Sequence, residues 1–231
     1  MGGKSKGGGG HTPYEAPDSL RSAQKSRAIG LISLGPIKGP ANKWKDTYFD
    51  NTPIQNANGV DDNDTGSFNF TNTEIQYNLG YQDQKPLEGF EASEREVSVG
   101  AEVKQQHPIT RSVIDPDVTR LRLMIGINAL ISQNDQGDTN GTSVDFQILI
   151  NSTPRGTYQI EGKSSSRFYR SYIIDDLPPR PFTVTVKRVT ADSKSQRLQN
   201  GTHWVSYTEI IDTKLSYPNM AIVGIKTDSR Y

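Results

Sequence analysis

The chain has 231 residues, 26 basic against 26 acidic side chains and no cysteine. Balanced charge gives no pull toward nucleic acid or anionic lipid. The lack of thiols removes disulfides, zinc fingers, iron–sulfur ligation and thiol catalysis together, and fits synthesis in a reducing cytoplasm. With 32% apolar residues, 21 glycines, 13 prolines and no run of about 18 apolar residues, the composition predicts a chain without membrane insertion that either is rich in loops or draws part of its stability from partners.

Residues 1–27 open with glycine, lysine and serine and continue through HTPYEAPDSLRSAQKSRA. They lack a sustained apolar period and read as a flexible N-terminal arm that orders only on a partner. The apolar run 28–34 meets the breaker-rich GPIKGP, which predicts a strand ending at Gly35. Residues 45–49 and Pro53 with Ile54 suggest a tight hairpin, and 55–66 a turn-forming stretch. Phe68 with Phe70, then Ile75 with Tyr77 and Leu79, then Val97, Val99, Ala101 and Val103 alternate as short strands. The expectation for 28–114 is a small β-barrel-like or open β-rich domain.

The second half is more regular. Leu121, Leu123, Ile125, Ile127, Ala129 and Ile131 give one apolar face of a long strand, and Val144, Phe146, Ile148 and Ile150 a second. Tyr158 with Ile160 and Phe168 with Tyr172 and Ile174 follow. Behind the proline-rich corner DLPPRPF, Phe182, Val184 and Val186 share a face while Thr183, Thr185 and Lys187 take the wet one. Residues 190–202 read as a polar loop. In 203–215, Val205, Tyr207, Ile211 and Leu215 stay in phase while Trp204 and Ile210 face the other way, so a bend or bulge is predicted midway. Residues 115–217 thus read as an antiparallel β-sandwich, inserted or appended, with 218–231 supplying a strand that returns to the first domain.

Few residues carry chemistry. His11, His107 and His203 form no metal-ligand spacing. Gly162, Lys163 and Ser164 resemble the end of a phosphate loop, but Thr157 stands where a glycine is required and the flanks are strand-like. Asp61, Asn63, Thr65 and Gly66 partly imitate a calcium loop, with Asn72 in place of its closing glutamate. Arg167, Arg170, Arg188 and Arg197 interleaved with Phe168, Tyr169 and Tyr172 could form a stacking platform for nucleic acid or sugar, and Trp44 or Trp204 could stack on a sugar ring. For each, the ordinary turn, wet face or core residue is the better reading, and sequons such as Asn151 and Asn200 matter only in a glycosylating host. No catalytic, cofactor-binding or metal residue is assigned, no cofactor is expected, and an enzyme has no positive support.

Ordered blocks across almost the whole chain carry a resemblance: GHTPYEAPDSLRSAQ, GPIKGP, NTPIQN, GFEASEREVSVGAEVK, PITR, DLPPRPF, and SKSQRLQNGTHWVSYTEIIDTKLSYPNMAIVGIKTDS. They resemble the N-terminal part of the tail tip attachment proteins J, or host specificity proteins, of lambda-like siphophages. The resemblance implies a virion structural protein assembled in the host cytoplasm, a homotrimer at the distal end of a non-contractile tail that builds a hub around the DNA exit path. It implies β-rich hub domains with an inserted sandwich, contacts with other tail-tip proteins, and phage DNA only in transit. Family members run on through further hub and fibronectin-like domains to a region that recognises an outer-membrane receptor, so host attachment and genome ejection are expected of the full-length protein. The alternative from another class is a carbohydrate-binding β-sandwich module.

Overall fold

The computed structural model describes residues 11–22, 25–61, 64–90, 92–213 and 215–228. They form β1 (Lys25–Leu34), β2 (Tyr48–Phe49), β3 (Thr52–Pro53), β4 (Thr73–Leu79), β5 (Ala92–Val103), β6 (Ile109–Val113), β7 (Arg120–Ile127) and β8 (Ile131–Gln133). There follow β9 (Thr139–Asn140), β10 (Thr142–Ile150), β11 (Thr153–Gly162), β12 (Phe168–Ile174), β13 (Phe182–Arg188), β14 (Leu198–Gln199), β15 (Thr202–Asp212) and β16 (Met220–Asp228). The mainly β architecture expected from the alternating runs is what the chain adopts. It divides into two compact units, one of residues 1–22 with 95–210, the other of 23–94 with 211–231.

The first unit is a sandwich of two antiparallel four-stranded sheets, ordered β11-β10-β13-β6 and β12-β7-β15-β5. Its core follows from the strand period. Leu121, Leu123, Ile125 and Ile127 of β7 and Val144, Phe146 and Ile148 of β10 are wholly buried, with Val184 and Val186 of β13 beside them. Phe146 meets Tyr172 of the opposite sheet edge to face at 5.3 Å, and Tyr158 meets the same ring at 4.8 Å, which locks the layers together.

The bulge predicted in the last long strand is present. Trp204 pairs with Ile125 and Ser206 with Met124, leaving Val205 as the extra residue. It changes the phase read from the sequence: Trp204 before the bulge and Tyr207 after it both lie opposite core residues of β7, with their rings 5.9 Å apart. The same shift sets Glu209 opposite Leu121, where it is 3% exposed. Arg95 of β5 answers that carboxylate with two hydrogen bonds, at 2.9 and 2.5 Å.

β5 and β6 fall within the stretch that the sequence assigned to the first domain, yet they are edge strands of the sandwich. Strand period reports burial on a face but not which sheet a strand joins, so that boundary was invisible in the pattern.

The second unit is an open three-stranded sheet, β1-β16-β4, beside the short β2-β3 hairpin. Of the two forms considered for this region, barrel-like or open, it takes the open one, and no closed barrel forms among the described residues. β16 runs between β1 and β4, antiparallel to both. The turn around Leu87 and Phe90 covers one face at Ile222, with Gly224 beneath it, where an added Cβ would stand 2.7 Å from the Phe90 ring. Trp44 stacks on Tyr77 at 5.1 Å.

Candidate assembly surface

Residues 11–22 do not behave as the free arm read from composition. They lie along the sandwich as a strap. Thr139 N–H donates to the Tyr14 carbonyl and Ala16 N–H donates to the Thr139 carbonyl, which continues the β8-β9 margin by a parallel bridge at Glu15. Further on, the Ser19 and Leu20 amides donate to the Lys163 carbonyl, the Lys163 amide donates to Ser19 Oγ, and Tyr169 N–H donates to Ser22 Oγ. Composition misses this because the strap is held by directional polar contacts rather than by apolar burial: every one of its residues is exposed or half-exposed. Residues 1–10 of the expected arm lie outside the described residues, and its last three residues, 25–27, already belong to β1.

Lys163 is the anchor. Its ammonium donates to Glu15 Oε1 at 2.9 Å, to Asp18 Oδ1 at 3.0 Å and to Ser165 Oγ at 2.9 Å, and its side chain is 4% exposed. That cover is one layer of strap, not deep core. The hydrogen bond with Glu15 leads the causes that raise the lysine pKa, and the same bond leads those that lower the Glu15 carboxyl. Asp18 is lowered first by the Ser165 amide and then by Lys163. At the strap's other end Asp138 accepts from the Tyr14 amide at 2.9 Å and meets His11 Nε2 at 2.6 Å. The Tyr14 amide, the Asn134 side chain and His11 together bring the Asp138 pKa down to about 2. Glycine clears the path: a Cβ on Gly162, whose φ is +141°, would stand 2.7 Å from Ser19 Oγ and 2.9 Å from Leu20 Cγ. The Gly-Lys-Ser sequence that imitates a phosphate loop is thus a cradle for chain.

Arg188 staples the loop 190–202 to the sandwich. It follows Phe182, Val184 and Val186 on the inner face of β13 and is 2% exposed. Its guanidinium donates to the Asn200 carbonyl and Thr202 Oγ1, both at 2.6 Å, to Asn200 Oδ1 at 2.7 Å and to the Thr190 carbonyl at 2.9 Å. Burial lowers its pKa and the neighbouring Asp192 works against that.

The platform drawn from four arginines and three aromatic rings is not assembled. Arg188 is buried, Arg197 pairs with Asp135 at 2.6 Å, Arg167 donates to Asn128 Oδ1, and Arg170 lies over the Phe168 ring. Phe168 and Tyr172 belong to the core side of β12, and Trp204 is wholly buried with its indole N–H donating to the Ser206 carbonyl. Trp204 therefore offers no face to a sugar. His11 sits on the strap, His107 in the turn bridging to Lys104, and His203 on β15. Of the calcium-like stretch, Asn63 and the Thr65 side chain lie outside the described residues, while the Asp61 carbonyl accepts from Gln55. Among the described residues no three His, Asp or Glu side chains are grouped to hold a metal ion, and no helix is long and apolar enough to cross a membrane.

In the second unit, β1 is a ten-residue strand at the sheet margin whose Ile29, Leu31, Ile32 and Leu34 are exposed or nearly so, Leu34 at 75%. The bulge at Ile32 sets Ser33 opposite Ala221. Native sheet margins are normally short, charged or covered; β1 carries Lys25 and Arg27 in its first half and exposed apolar side chains in its second.

Comparison with known proteins agrees with the strand-by-strand reading. A tip attachment protein J of Escherichia phage SECphi4 is 38% identical over 237 aligned positions, which take in 97% of this chain and 20% of that protein. One of Escherichia phage SECphi27 is 29% identical over 95% of this chain and 18% of that protein. The chain thus spans about a fifth of the length of the curated relatives it matches. A solved carbohydrate-binding module, CBM36, in complex with calcium and xylotriose overlays on 59% of this chain and 98% of its own at 12% identity, with a TM-score of 0.28, too loose an overlay to carry an argument. The family model of the FNIII-A domain of tip attachment protein J matches residues 93–213, the sandwich from β5 through β15, and the chain belongs to that tip attachment protein family.

Proposed function

We propose that this chain forms the N-terminal hub portion of the central tip protein of a non-contractile phage tail, where it assembles as a homotrimer with other tail-tip proteins around the DNA exit path. Membership in the tip attachment protein family is the single observation that carries the reading. In that role the chain is a structural part of the virion rather than an enzyme. It supports host attachment and genome ejection by the full-length protein, and contact with an outer-membrane receptor falls to regions outside this sequence. The physical features suit assembly: a sheet margin at β1 with exposed apolar residues, a sandwich whose buried polar groups pair internally at Arg188 and Glu209, and a strap held mainly by polar contacts. Antibody raised against this chain is expected to label the distal end of purified tails of the phage that encodes it. Label along the tail shaft or on the capsid, or none on intact tails, refutes the assignment. Light scattering of the purified chain gives the second test: a stable trimer places the hub contacts within these residues, and a monomer at every concentration refutes self-association by this segment alone.

A further inference from the structure

The contact between the strap and the Gly162–Ser165 edge has the properties of peptide recognition. Its receptor side is built: a lysine whose ammonium points into the strap, a backbone amide and carbonyl at Lys163 that pair with Ser19 and Leu20, and a Ser165 amide that donates to the Asp18 carboxylate. A glycine at 162 leaves room for the main chain to pass. Its ligand side is a short extended sequence, Glu-x-x-Asp-Ser-Leu, that presents two carboxylates to one cation.

Two features separate this from an ordinary terminal fold-back. The strap contributes no fully buried side chain, so it can leave without opening an apolar core. It also precedes β1, the first strand of the other unit, so no sandwich strand has to unpair for it to move. The same hydrogen bonds form whether the strap comes from the same chain or from another copy. Which copy supplies it is then set by effective concentration and not by contact energy.

We propose that the Gly162–Ser165 edge is a binding site for an acidic extended segment, and that in the assembled tip its occupant is the strap of a second copy, each copy's residues 11–22 lying in a neighbour's site. The identity of the occupant rests on the tail-tip reading, which brings copies side by side; the binding site itself does not.

Two variants of the chain test both parts. One carries Glu15→Lys with Asp18→Lys, a basic strap beside a native site; the other carries Lys163→Glu, a native strap beside an acidic site. Neither strap matches any site in its own preparation. In an equimolar mixture each strap matches the other variant's site, and native mass spectrometry is expected to show heteromers that neither variant forms alone. The chain carrying all three substitutions, with its charges matched again, keeps the strap protected from protease and reports that the changes are tolerated. A labelled peptide of residues 11–22, titrated into the Glu15→Lys, Asp18→Lys chain, is expected to bind at one per chain and to weaken by about tenfold from low to molar salt, since exposed carboxylates are screened. Absence of peptide binding by a folded chain overturns the site. Peptide binding with no heteromer in the mixture overturns exchange between copies, and the antibody labelling of tails judges the tail-tip role separately.

Discussion

Replacing Arg188 by methionine isolates the worth of the loop staple. The guanidinium is 2% exposed and donates to three buried acceptors: the Asn200 carbonyl, Asn200 Oδ1 and Thr202 Oγ1. A buried acceptor left without its donor costs roughly 1–3 kcal/mol, and hydrogen bonds to a charged group sit in the upper part of that range. The three costs do not simply add. Thr202 Oγ1 also donates to the Asn200 carbonyl at 3.3 Å, and the methionine stem still packs beside Phe146, the cross-strand neighbour of Arg188. A net loss of about 3–5 kcal/mol follows, the range for breaking a buried charged network by removing one partner. At about 2–4 °C per kcal/mol for a chain of this size, the melting temperature should fall by about 6–20 °C. Calorimetry gives the global figure. Hydrogen exchange across residues 190–202 gives the local one, and protection there should fall first. Arg188→Lys, which keeps the charge and three donors but loses the planar fork, should land between the parent and the methionine variant. A methionine variant as stable as the parent refutes the reasoning: it would mean that burying the cation costs as much as its hydrogen bonds return.

Gly224→Ala should disturb the second unit alone, because the new Cβ would stand 2.7 Å from Phe90 and 2.8 Å from Leu87; overpacking of this kind costs about 1–3 kcal/mol, read as faster exchange across residues 84–90 with an unchanged sandwich. The strap should be released by acid. Glu15, Asp18 and Asp138 are all held below their ordinary values, so their contribution is complete above the ordinary carboxylate pKa of 4.5 for glutamate and is lost as pH falls through the lowered values, Asp138 last near 2. The raised lysine acts in the opposite sense, its share lasting until pH climbs past the ordinary 10.5. Loss of hydrogen-exchange protection at the Ala16, Ser19 and Leu20 amides below pH 4.5, after correction for intrinsic exchange rates and while the near-ultraviolet dichroism of the sandwich persists, is the expected outcome; equal protection at pH 2 and pH 5 refutes it.

How much of this could be read from the residues differs from element to element. Alternation fixed the inner faces of β7, β10 and β13, because a two-residue side-chain period leaves one choice of buried face, and it found the returning strand 220–225 within β16. A bend or bulge midway along β15 was also expected, from the length of the strand and the apolar residues on both of its faces. What the bulge does was not: it brings both rings to the core side and carries Glu209 in with them, and only the pairing with β7 shows that. Arg188 was read as part of a wet face of arginines although it stands in the inward phase of β13. The acceptors that make its burial tolerable come from residues 190, 191, 200 and 202, and no local pattern announces them.

The strap shows the same division most clearly. Residue pattern alone is enough to establish that residues 11–22 carry no apolar stripe, that Gly162-Lys163-Ser164 is no phosphate loop, and that the chain is built of short alternating strands in a layered β fold. Tertiary structure decided that those two unpromising stretches belong together, and that β5 and β6 complete the sandwich while β16 closes the other unit between β1 and β4. The reason is physical. Periodicity records burial, a property each residue expresses against its own neighbours in the chain, whereas the choice of strand partner and charge pairs such as Lys163 with Glu15 depend on contacts between separate segments, which local alternation does not encode.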